Sequence, residues 1–415
     1  MKTLYIFLLG LVCLNAYSID TLRMMHYNLL NYSNSTTYCD QTNNNLQTKE
    51  AALKIILAHV SPDILTVNEV AANQLTANRL LGVVNASYNK TYAMGNYTNV
   101  SSGDLANLLF YNTAKLTLVS QHAVATEVRD FNIFTLRYNS FDLHNGDTAY
   151  LTCIVCHLKA GDSSEDETSR AQMINTLMAY LSAHDYSGNI TISGDFNVYS
   201  SSEVCYQSLI NATNSNIKFY DPVNKPGSWS NSSTYARYHT QSTHTTSNGC
   251  ASAGGLDDRF DFILMTNPIL NNTQRIEYLP SSYTAVGQTG TAFNGSILSM
   301  DNTLPYEVNQ ALYTLSDHLP VMADLLVHQT HVGMDTHTTM PQMIIFSKNG
   351  KTFCRLSGNF DSNSGLRVFS VTGHKLLDLK IQPLENLELP LNPGFYFLQA
   401  KTRDGKLLQK KTVVE

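Results

Sequence analysis

Short apolar or alternating runs recur through the first three quarters of the chain. Between some of them the hydrophobic period lengthens from two to roughly 3.6, so strands interleave with helices. Strands are predicted at Leu22–Leu30, Ile64–Asn68, Leu105–Tyr111, Leu151–His157, Ile190–Ser193, Phe260–Met265 and Val321–Val327. Helices are predicted at Thr48–His59 and Ser169–His184. The second follows an acidic stretch (Glu165, Asp166, Glu167) suited to the positive end of a helix. Such interleaving indicates a layered α/β domain. Two stretches rich in Ser, Thr, Asn and Gly, Asn211–Gly255 and Ser281–Glu307, read as loops around the rim of a site.

The two ends of the chain follow other patterns. Lys2, an apolar run from Leu4 to Leu14 and small or polar residues around Ala16 and Ser18 have the layout of a secretory leader, residues 1–18. The run is too short to span the ~30 Å of a bilayer core as a helix, and no later segment approaches that length, so no stable membrane span is expected. A His/Thr-rich stretch, 329–342, reads as a solvated linker, His331 and His337 included. Short strands resume at Met343–Phe346, Leu366–Ser370, Leu376–Ile381, Gly394–Ala400 and Leu407–Val414. The segment 343–415 is therefore expected to be a small all-β domain.

Charge narrows the function classes. Residues 20–330 carry 15 Lys and Arg against 26 Asp and Glu, whereas 331–415 carry 11 against 7. An acidic large segment argues against tight, sequence-independent duplex binding, which relies on neutralising phosphates. Export permits disulfides among Cys39, Cys153, Cys156, Cys205, Cys250 and Cys354, with connectivity open. Cys153 and Cys156 lack a second pair with zinc-site spacing and lie in an apolar run, so they read as buried strand residues.

Candidate chemistry gathers where strands end. Asn28 closes Met25-His26-Tyr27-Asn28, and Glu69 closes Ile64-Leu65-Thr66-Val67-Asn68-Glu69. His157 opens His157-Leu158-Lys159-Ala160-Gly161. Asp195 and Asn197 follow a β-branched run in Gly194-Asp195-Phe196-Asn197. Asp261 sits in Arg259-Phe260-Asp261-Phe262, and Asp317 and His318 in Ser316-Asp317-His318-Leu319-Pro320-Val321. The ends of strands are where layered α/β folds place their sites.

This ordered set resembles the endonuclease/exonuclease/phosphatase superfamily over about residues 20–328. The resemblance implies a four-layered α/β/β/α sandwich and a catalytic domain at 19–328. It implies hydrolysis of phosphate esters with Mg²⁺ or Mn²⁺ (Ca²⁺ a further candidate), ions that suit hard oxygen donors. It makes Glu69 the chief metal ligand, with Asn28 supporting and Asp317 near metal or water. Asp195 and Asn197 would orient or deprotonate the attacking water. His318, oriented by Asp261, would face the phosphate, and His157 matches the second histidine of the deoxyribonuclease branch, with Asp104 its candidate carboxylate partner. The same branch places a disulfide where Cys205 and Cys250 stand. Ala71 replaces the arginine that deoxyribonucleases insert into the minor groove, and the His157 strand equally resembles sphingomyelinases. The expected activity is thus a phosphodiesterase, with nucleic acid favoured as substrate. A sphingomyelinase-like or other phosphatase activity on phospholipid or small phosphate esters is the alternative, and a non-catalytic surface protein on the same fold the alternative outside enzymes.

Leu366-Arg367-Val368-Phe369-Ser370-Val371-Thr372-Gly373, Leu391-Asn392-Pro393-Gly394-Phe395-Tyr396 and Lys410-Lys411-Thr412-Val413-Val414 resemble the C-terminal sorting domain of type IX secretion. That resemblance implies export through the periplasm, engagement of the outer-membrane export machinery and a secreted or cell-surface monomer.

Overall fold

A computed structural model describes residues 16–140, 148–301, 303–331, 341–348, 350–358, 360, 364–382, 384–403 and 405–414. Most of the expected leader and linker, His337 included, lies outside the described residues. In chain order the elements are β1 (Ala16–Tyr32), α1 (Leu46–Val60), β2 (Ile64–Ala71), α2 (Gln74–Asn85), β3 (Tyr92–Met94), β4 (Leu105–Asn112), β5 (Leu116–Val124), β6 (Phe131–Tyr138), β7 (Tyr150–His157), α3 (Ser164–Ala183), β8 (Ile190–Asp195) and α4 (Val204–Ile210). Then come β9 (Phe219–Tyr220), β10 (Asp261–Thr266), α5 (Asn267–Asn271), β11 (Ile276–Tyr278), β12 (Thr284–Ala285), α6 (Tyr306–Leu315) and β13 (Val321–His331).

Two mixed sheets stack face to face. One runs β11-β13-β1-β2-β4-β3, with β12 also on β13, and the other β5-β6-β7-β8-β10-β9. The space between them is filled by Leu22, Met24, Ile64 and Leu109 of the first sheet and Phe134, Leu151, Val155 and Ile263 of the second. The outer face of the first sheet packs on α1, α2 and α6 through Leu53, Leu80 and Leu312. The outer face of the second packs on α3 and α4 through Ile174, Leu177 and Leu209. This is the four-layered α/β/β/α sandwich. Central strands buried on both faces explain why β2 and β7 are mostly apolar until their ends, and why Thr191 and Ser193 of β8 are buried too.

Two parallel pairings set the position of the site. β1 runs parallel to β2, pairing Asn28 with Asn68, and β7 runs parallel to β8, pairing His157 with Asp195. Antiparallel β10 then brings Asp261 opposite Asp195. Gly194 is required here by space: a Cβ would stand 2.0 Å from the Cys156 carbonyl. The Asp195 strand therefore approaches the His157 strand more closely than any side chain would allow.

Several elements are absent from the sequence reading. α2 contains Gly82 and two Asn residues that weaken its pattern, yet it is capped by the Asn73 side chain on the Thr76 amide and buries Leu80, Val83 and Val84. α6 begins inside the stretch expected to be loop, immediately after Pro305. β13 extends to His331 and β1 starts at Ala16, pairing with each other, so both strands run past the boundaries set at 328 and 19. The remaining strands, β14 (Gln342–Lys348), β15 (Lys351–Ser357), β16 (Ser364–Ser370), β17 (Lys375–Ile381), β18 (Leu387–Leu389), β19 (Gly394–Lys401) and β20 (Leu407–Val414), form two antiparallel sheets, β14-β15-β18 and β17-β16-β19-β20. They enclose a core of Cys354, Leu356, Leu366, Val368 and Leu398, the expected small all-β unit. No described helix is long and apolar enough to cross a membrane.

Asp63, at the mouth of β2, ties the first sheet together. Its carboxylate accepts from the Arg23 amide at 3.2 Å, from Asn112 at 2.9 Å and from Lys90 at 2.9 Å. Burial opposes its charge, but Lys115, Asn112 and Lys90 outweigh burial and hold its pKa below the ordinary carboxylate value. A depressed folded pKa stabilises the fold above the unfolded value, about 3.9, and that contribution is lost as pH falls through the folded one. Asp63→Asn should therefore destabilise the protein near neutral pH and by less at about pH 3, as read by denaturant unfolding at the two pH values.

Candidate active site

The carboxyl-terminal ends of β1, β2, β7 and β8 meet at one rim of the sandwich. β2 breaks register with β4 between Val67 and Val70, and Glu69 in that break takes a left-handed conformation, φ 57°. Asn197, two residues beyond β8, does the same at φ 51°. Each conformation costs a non-glycine residue about 1–3 kcal/mol, and such strain gathers where side-chain direction matters more than local comfort.

Four residues converge there. Glu69 Oε1, Asp195 Oδ2 and a ring nitrogen of His157 lie within 4.8 Å of one another. His157 Nε2 is 3.8 Å from Glu69 and 3.7 Å from Asp195. His318 Nε2 is 3.7 Å from the same Asp195 oxygen. Its other nitrogen is 2.7 Å from Asp261 Oδ2, a carboxylate buried behind the ring. Two hard oxygens and an imidazole nitrogen at this spacing suit a divalent cation.

Asn28 lies at the centre of this cluster. Its side-chain oxygen accepts from the Leu30 amide at 2.9 Å. Its amide nitrogen donates to Glu69 Oε1 and Asp195 Oδ2, each at 3.0 Å. Asn28 thus bridges the two carboxylates, and its oxygen keeps a second lone pair beside the bond from Leu30. The second Glu69 oxygen accepts from the Asn31 amide at 2.9 Å. That turn is held from below by the buried Lys49, whose ammonium contacts the Leu30 carbonyl at 2.5 Å and Asn44 at 2.6 Å.

Two expected roles are corrected. Asp317 is not part of the ligand cluster. Its Oδ2 accepts from the Ser252 amide at 2.8 Å, anchoring the rim loop, and lies 3.5 Å from the Gln241 amide nitrogen that reaches His318, while its Oδ1 is buried without a hydrogen-bond partner. Asp104 is exposed and does not pair with His157, whose Nδ1 is buried without a hydrogen-bond partner. Asp104 precedes β4 and contributes only its carbonyl, to the Ala72 amide. Asn197 does join the site: its backbone N–H donates to Asp195 Oδ1 at 2.9 Å, and its side chain to the Leu158 carbonyl at 3.3 Å.

The electrostatics separate the two histidines. Burial pushes the His157 pKa well below the ordinary histidine value, with the Arg129 cation adding to the effect. Burial also opposes charge on His318, but Asp261 and Asp195 outweigh it and hold its pKa well above that value. Burial raises the Asp195 carboxyl to about 7, against the pull of His318. Gln241 sits 2.8 Å from His318 Nε2. A neutral ring accepts from its amide N–H, and a charged ring donates to its carbonyl after an amide rotation, so glutamine accommodates both states.

Sequence reasoning missed Gln241, Arg129 and His26. Gln241 lies in a Ser/Thr-rich stretch that reads as plain loop. Arg129 is a lone cation between two unrecognised strands. It donates to the Leu158 carbonyl at 3.2 Å, and Glu69 and Asp195 support a charge that burial opposes. His26 is wholly buried, bonds Thr66 at 3.0 Å and faces Asp261 at 3.8 Å from the side opposite His318.

The disulfide pairing also differs from expectation. Cys250 is joined to Cys39, across 211 residues, and Cys205 is a free thiol inside the second helical layer. The bond ties the loop after β1 to the rim loop that carries Ser252. Cys205 instead lies on α4, whose inward face it shares with Tyr206 and Leu209.

No family model matches the chain, and no curated protein does. Among solved structures the chain is similar to an endonuclease/exonuclease/phosphatase family protein from Bacteroides thetaiotaomicron, at 15% identity over 77% of this chain and 100% of that one, TM-score 0.47. It is similar to the human Nocturnin catalytic domain with bound sulfate, at 13% identity over 75% and 96%, TM-score 0.46. It is also similar to D. rerio TDP2 complexed with a single-strand DNA product, at 14% identity over 74% and 99%, TM-score 0.46.

Two outcomes check this architecture. Arg170 of α3 is fully buried; its Nε donates to Glu203 at 2.8 Å, and Nη1 to the Lys159 and Gly161 carbonyls at 3.0 and 2.7 Å. It therefore holds the loops after both β7 and β8. Arg170→Met should lower unfolding free energy by about 3–5 kcal/mol, because Glu203 is left buried and unpaired. Peptide mapping under non-reducing conditions should recover a Cys39–Cys250 linked pair, with Cys205 alkylated only after denaturation.

Proposed function

We propose that the chain is a divalent-metal-dependent phosphoesterase of the endonuclease/exonuclease/phosphatase superfamily, acting on phosphodiester bonds, with nucleic acid as the favoured substrate. The observation that carries this reading is the convergence of Glu69, His157, Asp195 and His318 from four separate chain segments, with Asp261 locked behind one imidazole. A buried carboxylate on one ring nitrogen fixes the tautomer and leaves the other nitrogen pointing into the site.

A phosphodiester is an anion, so attack by water requires charge neutralisation. The donors that would hold a divalent ion are Glu69 and Asp195, with His157 beside them. Once bound, such an ion polarises the phosphoryl group and stabilises the leaving oxygen. The chain's own residues supply the rest. Asp195 and Asn197 orient the attacking water, and the Asp195 carboxylate, 3.7 Å from His318 Nε2, receives its proton. His318, kept cationic by Asp261, opposes the charge that grows on the phosphate oxygens. Gln241 and Asn28 hold His318 and the carboxylates in place, and Arg129 adds positive charge at the same rim.

Export belongs to the proposal as well. The leader-like first 18 residues and the sorting-domain motifs on β16, β19 and β20 support passage through the periplasm to a secreted or surface-held state. A disulfide between Cys39 and Cys250 is compatible with an oxidising compartment.

The decisive assay is a substrate panel of plasmid DNA, RNA, sphingomyelin and inositol phosphates, with Mg²⁺ or Mn²⁺ and with chelator. Chelator-sensitive hydrolysis of at least one nucleic acid is expected. His318→Ala and Asp195→Ala should each lower kcat/KM by about a hundredfold to ten-thousandfold while the circular dichroism spectrum is retained. Near-normal rates in either variant would remove these residues from the chemistry.

A further inference from the structure

His157 lacks any described hydrogen bond although it is 3% exposed. Its Nδ1 is buried with no partner. Its Nε2 stands 3.7–3.8 Å from two carboxylate oxygens, too far for hydrogen bonds, and faces the space those oxygens share. The orphaned Nδ1 carries a desolvation cost, whereas Nε2 is not among the buried nitrogens left without a partner. The expected carboxylate partner, Asp104, is exposed and turned elsewhere, so a relay of the Asp–His type is not built around this ring.

The spacing fits another purpose. Ligand atoms bound to a common ion at roughly 2.0–2.2 Å stand about 3–4 Å apart, because each bond supplies one side of the triangle. The two separations from His157 lie in that range. Asn28 meanwhile holds the Glu69 and Asp195 oxygens through its amide nitrogen. Among the His, Cys, Asp and Glu side chains of the described residues, the imidazole nitrogen of His157 is the third donor that closes the triangle.

We infer that His157 Nε2 is a direct ligand of the same cation as Glu69, which makes the centre a mixed oxygen–nitrogen site that selects a first-row transition ion over Mg²⁺. This rests on the phosphoesterase reading only for the existence of a metal; the identity of the donor is independent of the substrate. Imidazole favours later divalent ions, along the order Mn²⁺, Co²⁺, Ni²⁺, whereas Mg²⁺ takes oxygen almost exclusively. An all-oxygen site would leave His157 free to donate a proton; a mixed site removes it from proton transfer and leaves that task to His318 and Asp195.

The test uses the whole protein loaded with Mn²⁺. Pulsed electron paramagnetic resonance should show a directly coordinated nitrogen whose signature changes with ¹⁵N-histidine labelling and disappears in His157→Gln. Calorimetric titration should show Co²⁺ binding at least about tenfold tighter than Mg²⁺ in the wild type. In His157→Gln the Co²⁺ affinity should fall by about tenfold or more while that for Mg²⁺ changes by less than about threefold. Oxygen-only coordination of Mn²⁺ in the wild-type protein overturns the inference, and this measurement stands even where the variant fails to fold. A nitrogen-coordinated ion in a protein that hydrolyses nothing in the substrate panel upholds this inference and removes the phosphoesterase reading. Hydrolysis supported by an oxygen-only ion does the reverse, and failure to bind any divalent ion overturns both.

Discussion

Glu69 and Asp195 come from different sheets, and their carboxylate oxygens lie within 4.8 Å of each other in a region where water is largely excluded. Two like charges at that separation repel strongly when the medium between them is of low dielectric. The rest of the site is arranged around this repulsion. Asn28 inserts an amide NH₂ between them, Asn31 and Asn197 donate backbone N–H groups to their outer oxygens, and His318 and Arg129 add positive charge. A divalent cation would complete the same compensation more fully than any of these groups. Burial lifts the Asp195 carboxyl to about 7, against the pull of His318.

Holding this arrangement falls to the layers behind it. Gly194 lets β8 lie against β7 so closely that His157 and Asp195 pair as neighbours. Left-handed backbone at Glu69 and Asn197 turns their side chains into the cleft, and the cost is borne by the buried strands on either side. Lys49, Arg170 and the Cys39–Cys250 bond then fix the three rim loops from outside the cleft, each by a different kind of contact.

The two histidines illustrate how environment assigns roles to identical side chains. Both are buried at the rim. His318 has a carboxylate behind it and a glutamine in front, so its charge is sustained and its orientation fixed. His157 has no carboxylate behind it, and burial, with the Arg129 cation nearby, keeps it neutral although two carboxylate oxygens stand in front. Neutral imidazole is the form that binds metal, and imidazolium is the form that clamps phosphate.

The amino-acid sequence by itself determined which side chains stand at strand ends, because the short apolar or alternating runs that precede Asn28, Glu69, His157 and Asp195 are local and legible. It likewise determined the layered α/β class and the separate C-terminal β unit, since these follow from short-range patterning. Tertiary structure alone decided that the Asn28 amide bridges Glu69 and Asp195, that Asp317 turns to Ser252, that Asp104 stays in solvent and that Cys39 rather than Cys205 reaches Cys250. It alone recruited Gln241 from a stretch with no pattern. The reason is physical: a strand's periodicity fixes the face on which a residue lies. The partner that residue meets depends on how loops far apart in the chain are packed, and no local spacing encodes that.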